Sequence, residues 1–311
     1  MVKKYTSKVH EKGELPLSKK VWVSLLLLLA FFFVASILAS IVSLSDVSVE
    51  GSGNVARIKL HGVITVDDGL GTFSPDTIIA EDVVSLLEKA DEDASIKAVV
   101  LDINSPGGSA VASDEIGRVV RRLNKTVVAV IREVGASGGY WIASNADFVV
   151  ANRMSITGSI GVTSSYLGFG GFLRDHNVTY NRLVAGKFKD MGSPFRELTD
   201  EERALFQEKL DRIHSFFIEE VAQNRNLSLE EVKNLATGEV YLGVEALDAG
   251  LVDALGGFEE AEQFLEEELG EDVSFVTFKK KKTFLDVIEQ VISGGSFALL
   301  HGAVDVPVMR T

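Results

Sequence analysis

"IKAVVLDINSPGGSAVASDEIGRVVRRLNKTVVAVIREVGASGG" runs from Ile96 to Gly139. Two nearly continuous apolar runs, VVLDI and VVAVI, bracket the segment SDEIGRVVRRL, whose apolar residues recur at helical spacing. Runs of that kind suit parallel strands buried on both faces, so the stretch reads as strand, helix, strand. Upstream the alternation continues, with RIKLHGVITV extended and IAEDVVSLLEKA helical. Each strand of the quoted stretch ends in a turn of small residues, NSPGGS at Asn104–Ser109 and GASGG at Gly135–Gly139. Ligands in such sheets bind beyond the carboxyl ends of the strands, so the two turns are expected to meet at one edge. Clustered small residues cost backbone entropy, which points to something that must approach the main chain closely. GASGG also fits G-x-S-x-G, the pattern of a strained nucleophile elbow, and the same letters fit an ordinary loop or helix start.

The 311 residues are 46% hydrophobic and 24% charged, enough apolar material for one large core or two small ones and too much for a disordered chain. There is no cysteine, which excludes disulfides, thiolate nucleophiles and Cys-based metal sites. The five histidines form no HExxH or other close-spaced ligand pair. A net charge of −14 argues against a nucleic-acid surface.

One stretch is not globular. VWVSLLLLLAFFFVASILASIV, Val21 to Val42, carries no charge over about the length that spans ~30 Å of hydrocarbon. It reads as a transmembrane helix; a cleaved secretory signal is the alternative, with ASILAS an imperfect cleavage pattern. Before it lie Lys3, Lys4, Lys8, Lys12, Lys19 and Lys20 against Glu11 and Glu14, so the positive-inside rule keeps the N-terminus cytoplasmic and puts the domain outside. The expected organisation is a cytoplasmic segment 1–20, an anchor 21–43, a small polar tether 44–54, a globular domain 55–277, and a basic segment, helix and tail 278–311.

Farther along, Thr199 with Glu202 and Ser228 with Glu231 are capping boxes that open two helices, the first long and amphipathic. FKKKK at Phe278–Lys282 is a charge run, either solvated or at a membrane surface.

NSPGGS, ASGGYWIASNAD, TGSIGV and GKFKDMGSPFRELTDEE occur in the order and spacing of the signal peptide peptidase A family, and the chain resembles that family over roughly 55–277. These are membrane-bound serine proteases of the crotonase/Clp-protease superfamily with a Ser–Lys dyad. The resemblance implies an α/β fold, a crotonase/Clp-protease-like spiral of βαβ units, behind one N-terminal transmembrane helix. It implies Ser137 as nucleophile, Lys189 as general base, Ser159 as the hydroxyl that holds the lysine, and Gly108 with Gly138 as oxyanion donors. The partners implied are remnant signal peptides and other unfolded or membrane peptides, the lipid bilayer, and further copies of the chain in a ring, an octamer by analogy. Other readings stay open: a protease of other membrane or unfolded proteins with the same dyad, or a catalytically inactive membrane-anchored scaffold of the same fold.

The residues can be read beside this. A serine hydroxyl needs a positioned base, and a lysine serves only as the neutral amine, which requires a dry pocket. Phe188, Met191 and Phe195 offer such a wall around Lys189; Asp190 opposes it, and Lys187 competes for the role. A hydrolase triad would need a late histidine, and His301 lies in the tail while His176 and His214 read as surface or core-edge residues. A Clp-type triad would need a histidine near Ser159, where there is none.

Overall fold

The computed structural model describes residues 17–42, 47–67 and 77–281. The chain divides into two units, one ending at Asp46 and one beginning at Val47. In the first, Leu17–Val42 is an unbroken helix, α1. Side chains are described for its residues 21–34 and are exposed. That stretch covers about 21 Å at ~1.5 Å per residue, and among the described residues no helix is long and apolar enough to cross a membrane.

The second unit follows the expected alternation. Its first elements are β1 (Val47–Glu50), β2 (Val55–Thr65), β3 (Thr77–Ile79), α2 (Ala80–Glu92), β4 (Ala98–Gly108), α3 (Ala110–Arg122), β5 (Thr126–Ala136), α4 (Gly138–Ser144), β6 (Phe148–Ala151) and β7 (Ile156–Gly158). Then come α5 (Gly170–Asp175), α6 (Asp200–Arg225), α7 (Leu229–Leu235), β8 (Val240–Leu242), α8 (Gly243–Asp248), β9 (Ala254–Leu255), α9 (Phe258–Leu269) and β10 (Phe275–Lys280). The strands form one sheet in the order β1-β10-β2-β4-β5-β6-β9, with β3 beside β2, and β7 between β5 and β8. From β10 to β9 the pairing along that order is parallel.

Both faces of the sheet are covered, which is why its strands read as continuous apolar runs. Leu101, Ile103, Ala129 and Ile131 point to a core shared with Leu87, Ile116, Ile142 and Val221 of α2, α3, α4 and α6. Val100, Val128, Val130 and Val150 point the other way, onto Ala261 and Leu265 of α9. Each fully buried aliphatic side chain contributes roughly 1.5–3 kcal/mol. The exception in VVLDI is Asp102, fully buried on the α9 side. Arg57 donates to its Oδ2 from Nε at 3.0 Å and from Nη2 at 2.5 Å, and His61 Nε2 lies 3.2 Å from Oδ1. His61 is therefore committed to the face of the sheet that packs on α9.

Two expected boundaries fall elsewhere. Residues 47–50, inside the tether, form β1, because Val47 packs on the core and the strand pairs antiparallel with β10. The FKKKK run begins as strand: Phe278 is buried, while Lys279 and Lys280 stay exposed. Both expected capping boxes form, at Thr199 and Ser228. The helix and tail expected after Lys282 lie outside the described residues, as does His301.

Candidate active site

β5 delivers Ser137 to the start of α4 with φ 52° and ψ −120°, in the left-handed half of backbone space that a side chain rarely adopts. Such a conformation costs about 1–3 kcal/mol and persists only where the surroundings impose it. Here they do: Ser137 N–H donates to Gly158 O at 2.8 Å and Ser137 O accepts from Trp141 N–H at 2.8 Å. Farther along α4, the buried Tyr140 hydroxyl donates to Leu251 O at 2.8 Å, and burial pushes its pKa up.

The two glycine turns meet, as their place after neighbouring strands requires. A Cβ on Gly107 would lie 2.7 Å from Gly138 N and 2.9 Å from the Ser137 Cβ, and one on Gly138 would lie 2.3 Å from Ser113 Oγ and 3.3 Å from Gly108 N. The crowding of small residues around Ser137 is thus a requirement of contact between two backbones. Gly108 itself is wedged against β2, where a Cβ would fall 2.1 Å from Ile64 O.

Ser105 ties this arrangement together, and nothing in its sequence context singles it out. It is fully buried; its Oγ donates to Gly62 O at 2.6 Å and accepts from Gly107 N–H at 3.1 Å, linking the β2 bulge to the turn that bears Gly108. Loss of that hydroxyl leaves a buried donor and a buried acceptor unpaired, a penalty of about 1–3 kcal/mol. Ser105→Ala is therefore expected to lower thermal stability and to reduce kcat more than it raises KM, as measured by calorimetry and steady-state peptide hydrolysis; equal kcat would show that the turn holds its shape without the hydroxyl.

A cavity of about 710 Å³ opens over these turns, lined by Gly108, Ser113, Ser137, Gly138 and Ser159. Its far wall is one face of α6, with Leu210, Asp211, His214 and Phe217, and Trp141 meets Phe217 at a ring-centroid distance of 4.8 Å. The amphipathic spacing of α6 and the glycine edge are each visible in the sequence, whereas their facing each other across the cavity is not. His214 Nε2 lies 3.2 Å from Ile160 O, which places this histidine at the core edge and on the cavity. His176 is exposed and stacked on Phe172.

Of the expected site residues, Ser137, Ser159, Gly108 and Gly138 share the cavity. Ser159 is also held at positive φ, 50°, with its N–H donating to Glu239 O at 2.8 Å, and its Oγ lies 3.5 Å from Gly238 O. Lys189 is not among the lining residues; it sits exposed on a turn between α5 and α6. Lys187 pairs with Glu201, Nζ to Oε1 at 2.7 Å. Among the described residues no three His, Asp or Glu side chains gather as a metal would require.

A sequence model of peptidase family S49 matches residues 120–272, a span that includes Ser137, Ser159 and Lys189. The chain is 34% identical to the putative protease MJ0651 of Methanocaldococcus jannaschii, over 80% of this chain and 83% of that one. It is 33% identical to a putative signal peptide peptidase SppA of Enterococcus faecium, over 75% and 70% of the two chains. Protease 4 of Haemophilus influenzae is 37% identical over 67% of this chain and 33% of its own length. Among solved structures, a point mutant of ClpP1 from Listeria monocytogenes aligns with 65% of this chain and 91% of its own, at 18% identity and a TM-score of 0.42. Relatives of the identity and coverage seen in the first two settle the assignment: the chain belongs to peptidase family S49 and is a serine-type peptidase of the signal peptide peptidase A family.

Proposed function

We propose that the chain is a membrane-anchored endopeptidase that cleaves remnant signal peptides and other unfolded or membrane-derived segments through an acyl-enzyme on Ser137. The observation that carries this reading is the imposed φ of 52° at Ser137, directly beside the Gly107–Gly108 turn and inside the cavity. Ser137 Oγ attacks the scissile carbonyl, and the N–H groups of Gly108 and Gly138 receive the developing oxyanion. Lys189, as the neutral amine, takes the serine proton and returns it to the leaving amine, and Ser159 orients it; water then releases the acyl group. The apolar lining from Trp141, Leu210, Ile213 and Phe217 favours apolar side chains, which a signal-peptide core supplies. No metal or cofactor enters the scheme. The anchor rests on the uncharged run Val21–Val42, on its helical form, and on the lysines before it, which set the catalytic domain outside the cytoplasm.

Lys189 lies outside the cavity of its own chain, so the dyad is completed by the lysine turn of a second copy in a homo-oligomer. Support for this comes from the exposed side chains of Tyr166, Leu167, Phe169, Phe172 and Leu183, which precede Lys189 on the same surface segment. A second reading, with His214 as base, is favoured by one observation: it lines the cavity with Ser137. The two are separated by labelling with an acylating fluorophosphonate probe and by hydrolysis of an unfolded protein. His214→Gln is expected to retain most of both signals, Lys189→Arg to lose both because guanidinium does not deprotonate, and Ser137→Ala to take no label. Loss in His214→Gln with retention in Lys189→Arg overturns the lysine assignment.

A further inference from the structure

The turn that carries Lys189 is fixed by an ion network that the proposed chemistry does not itself require. Asp190, next in sequence to Lys189, is held by two guanidinium forks. Arg182 donates from Nε to Oδ2 at 2.5 Å and from Nη2 to Oδ1 at 2.6 Å; Arg196 donates to the same two oxygens at 3.0 and 3.1 Å. Arg196 then reaches Glu202, from Nη1 to Oε2 at 2.7 Å and from Nη2 to Oε1 at 2.5 Å. Glu202 is buried and also accepts from Thr199 N–H at 3.0 Å, so the turn is fastened to the first turn of α6. Arg182 Nη2 donates in addition to Lys187 O at 3.2 Å.

The charged groups around the turn are thus Arg182, Lys187, Arg196, Asp190, Glu201 and Glu202, with Lys187 occupied by Glu201. Lys189 makes no ion pair among the described residues. Two arginines against two carboxylates leave the network neutral beside the lysine. The Arg182 and Arg196 hydrogen bonds hold the Asp190 carboxyl well below the ordinary carboxylate range, and Arg196 with Thr199 lowers that of Glu202 to about 2. Both carboxylates therefore stay ionised, and stay on the arginines, across the range in which a peptidase works.

A lysine that must be neutral to act is disabled by a carboxylate within reach, because the opposite charge favours the ammonium form. Asp190 is one residue away and has no oxygen left over. We propose that Arg182 and Arg196 are positioning residues for Lys189: they clamp the adjacent Asp190 carboxylate so that it cannot become the lysine's ion-pair partner, and they pin the lysine turn to α6. The inference rests on Lys189 as the base.

The test is the pH dependence of kcat/KM for unfolded-protein hydrolysis by the full-length enzyme. Asp190→Asn leaves one excess positive charge beside the amine, which favours its neutral form and moves the alkaline-rising limb to lower pH. Arg182→Met leaves one excess negative charge and moves the limb to higher pH, each by about half to one unit. The double variant is neutral again and returns the limb close to its wild-type position. Arg196 is left intact in this set because its removal would strand the buried Glu202. A role in shape alone lowers the rate without moving the limb, and that outcome, or two single variants shifted in the same direction, overturns the clamp. Lys189→Ala is measured in parallel. Turnover by it removes the base assignment itself, whereas a dead Lys189→Ala beside unmoved limbs removes only the clamp.

Discussion

A co-expressed one-to-one mixture of Ser137→Ala and Lys189→Ala chains, each inactive alone, is expected to regain about a quarter of wild-type turnover, the share of sites that receive both intact residues when copies assemble at random. The expectation follows from where the two residues lie. Ser137 lines the cavity, and Lys189 is exposed on a turn that contributes nothing to it. Leu183, 96% exposed, precedes that turn with nothing among the described residues of its own chain to cover it. A site built from two copies accepts its serine from one and its lysine from the other. Mixed oligomers are to be isolated through two different affinity tags and assayed for hydrolysis and probe labelling. If tagged mixed oligomers form and remain dead, the lysine turn closes on the serine of its own chain, and assembly in trans is wrong.

The second large effect belongs to Gly107. It sits at φ 100°, and a Cβ there would lie 2.7 Å from Gly138 N and 2.9 Å from Ala136 O. Both contacts are backbone, so neither can be relieved by turning a side chain. Gly107→Ala must separate the two turns, and with them the N–H groups of Gly108 and Gly138 that are assigned to one oxyanion. Losing a single such donor costs about 10²–10³ in kcat, and the expected loss is at least of that order. Gly138→Ala offers a comparison, because its closest obstacle is the Ser113 hydroxyl at 2.3 Å. Adding Ser113→Ala should recover part of the rate there, whereas it should recover none for Gly107→Ala. Circular dichroism confirms folding, and a folded Gly107→Ala enzyme with near wild-type kcat would show that the turns are not the oxyanion site.

The parts legible in the sequence are those governed by local pattern. Two-sided burial writes itself as VVLDI and VVAVI, the capping boxes at Thr199 and Ser228 depend on residues three apart, and the meeting of two glycine turns follows from adjacent parallel strands. What stayed hidden depends on contacts between distant segments. β1 is four residues long and gains its register only from β10, some 230 positions later. Ser105 looks like any turn serine until Gly62 appears opposite it. The face that α6 presents is legible, but the cavity it closes is not. The motif resemblance proposes Lys189 as the base, and no motif states that its side chain lies outside the cavity that Ser137 lines.

The pairing of Val47–Glu50 with Thr277–Lys280 also sets an order of events during synthesis. β10 lies between β1 and β2 in the sheet, so the first strand of the domain has no neighbour to bond until Lys280 has emerged. Closing so long a loop is entropically slow, and it comes after the local βαβ units can form. The strands and turns around Ser137 can thus assemble early, while the β1 edge of the sheet stays open until β10 has been made.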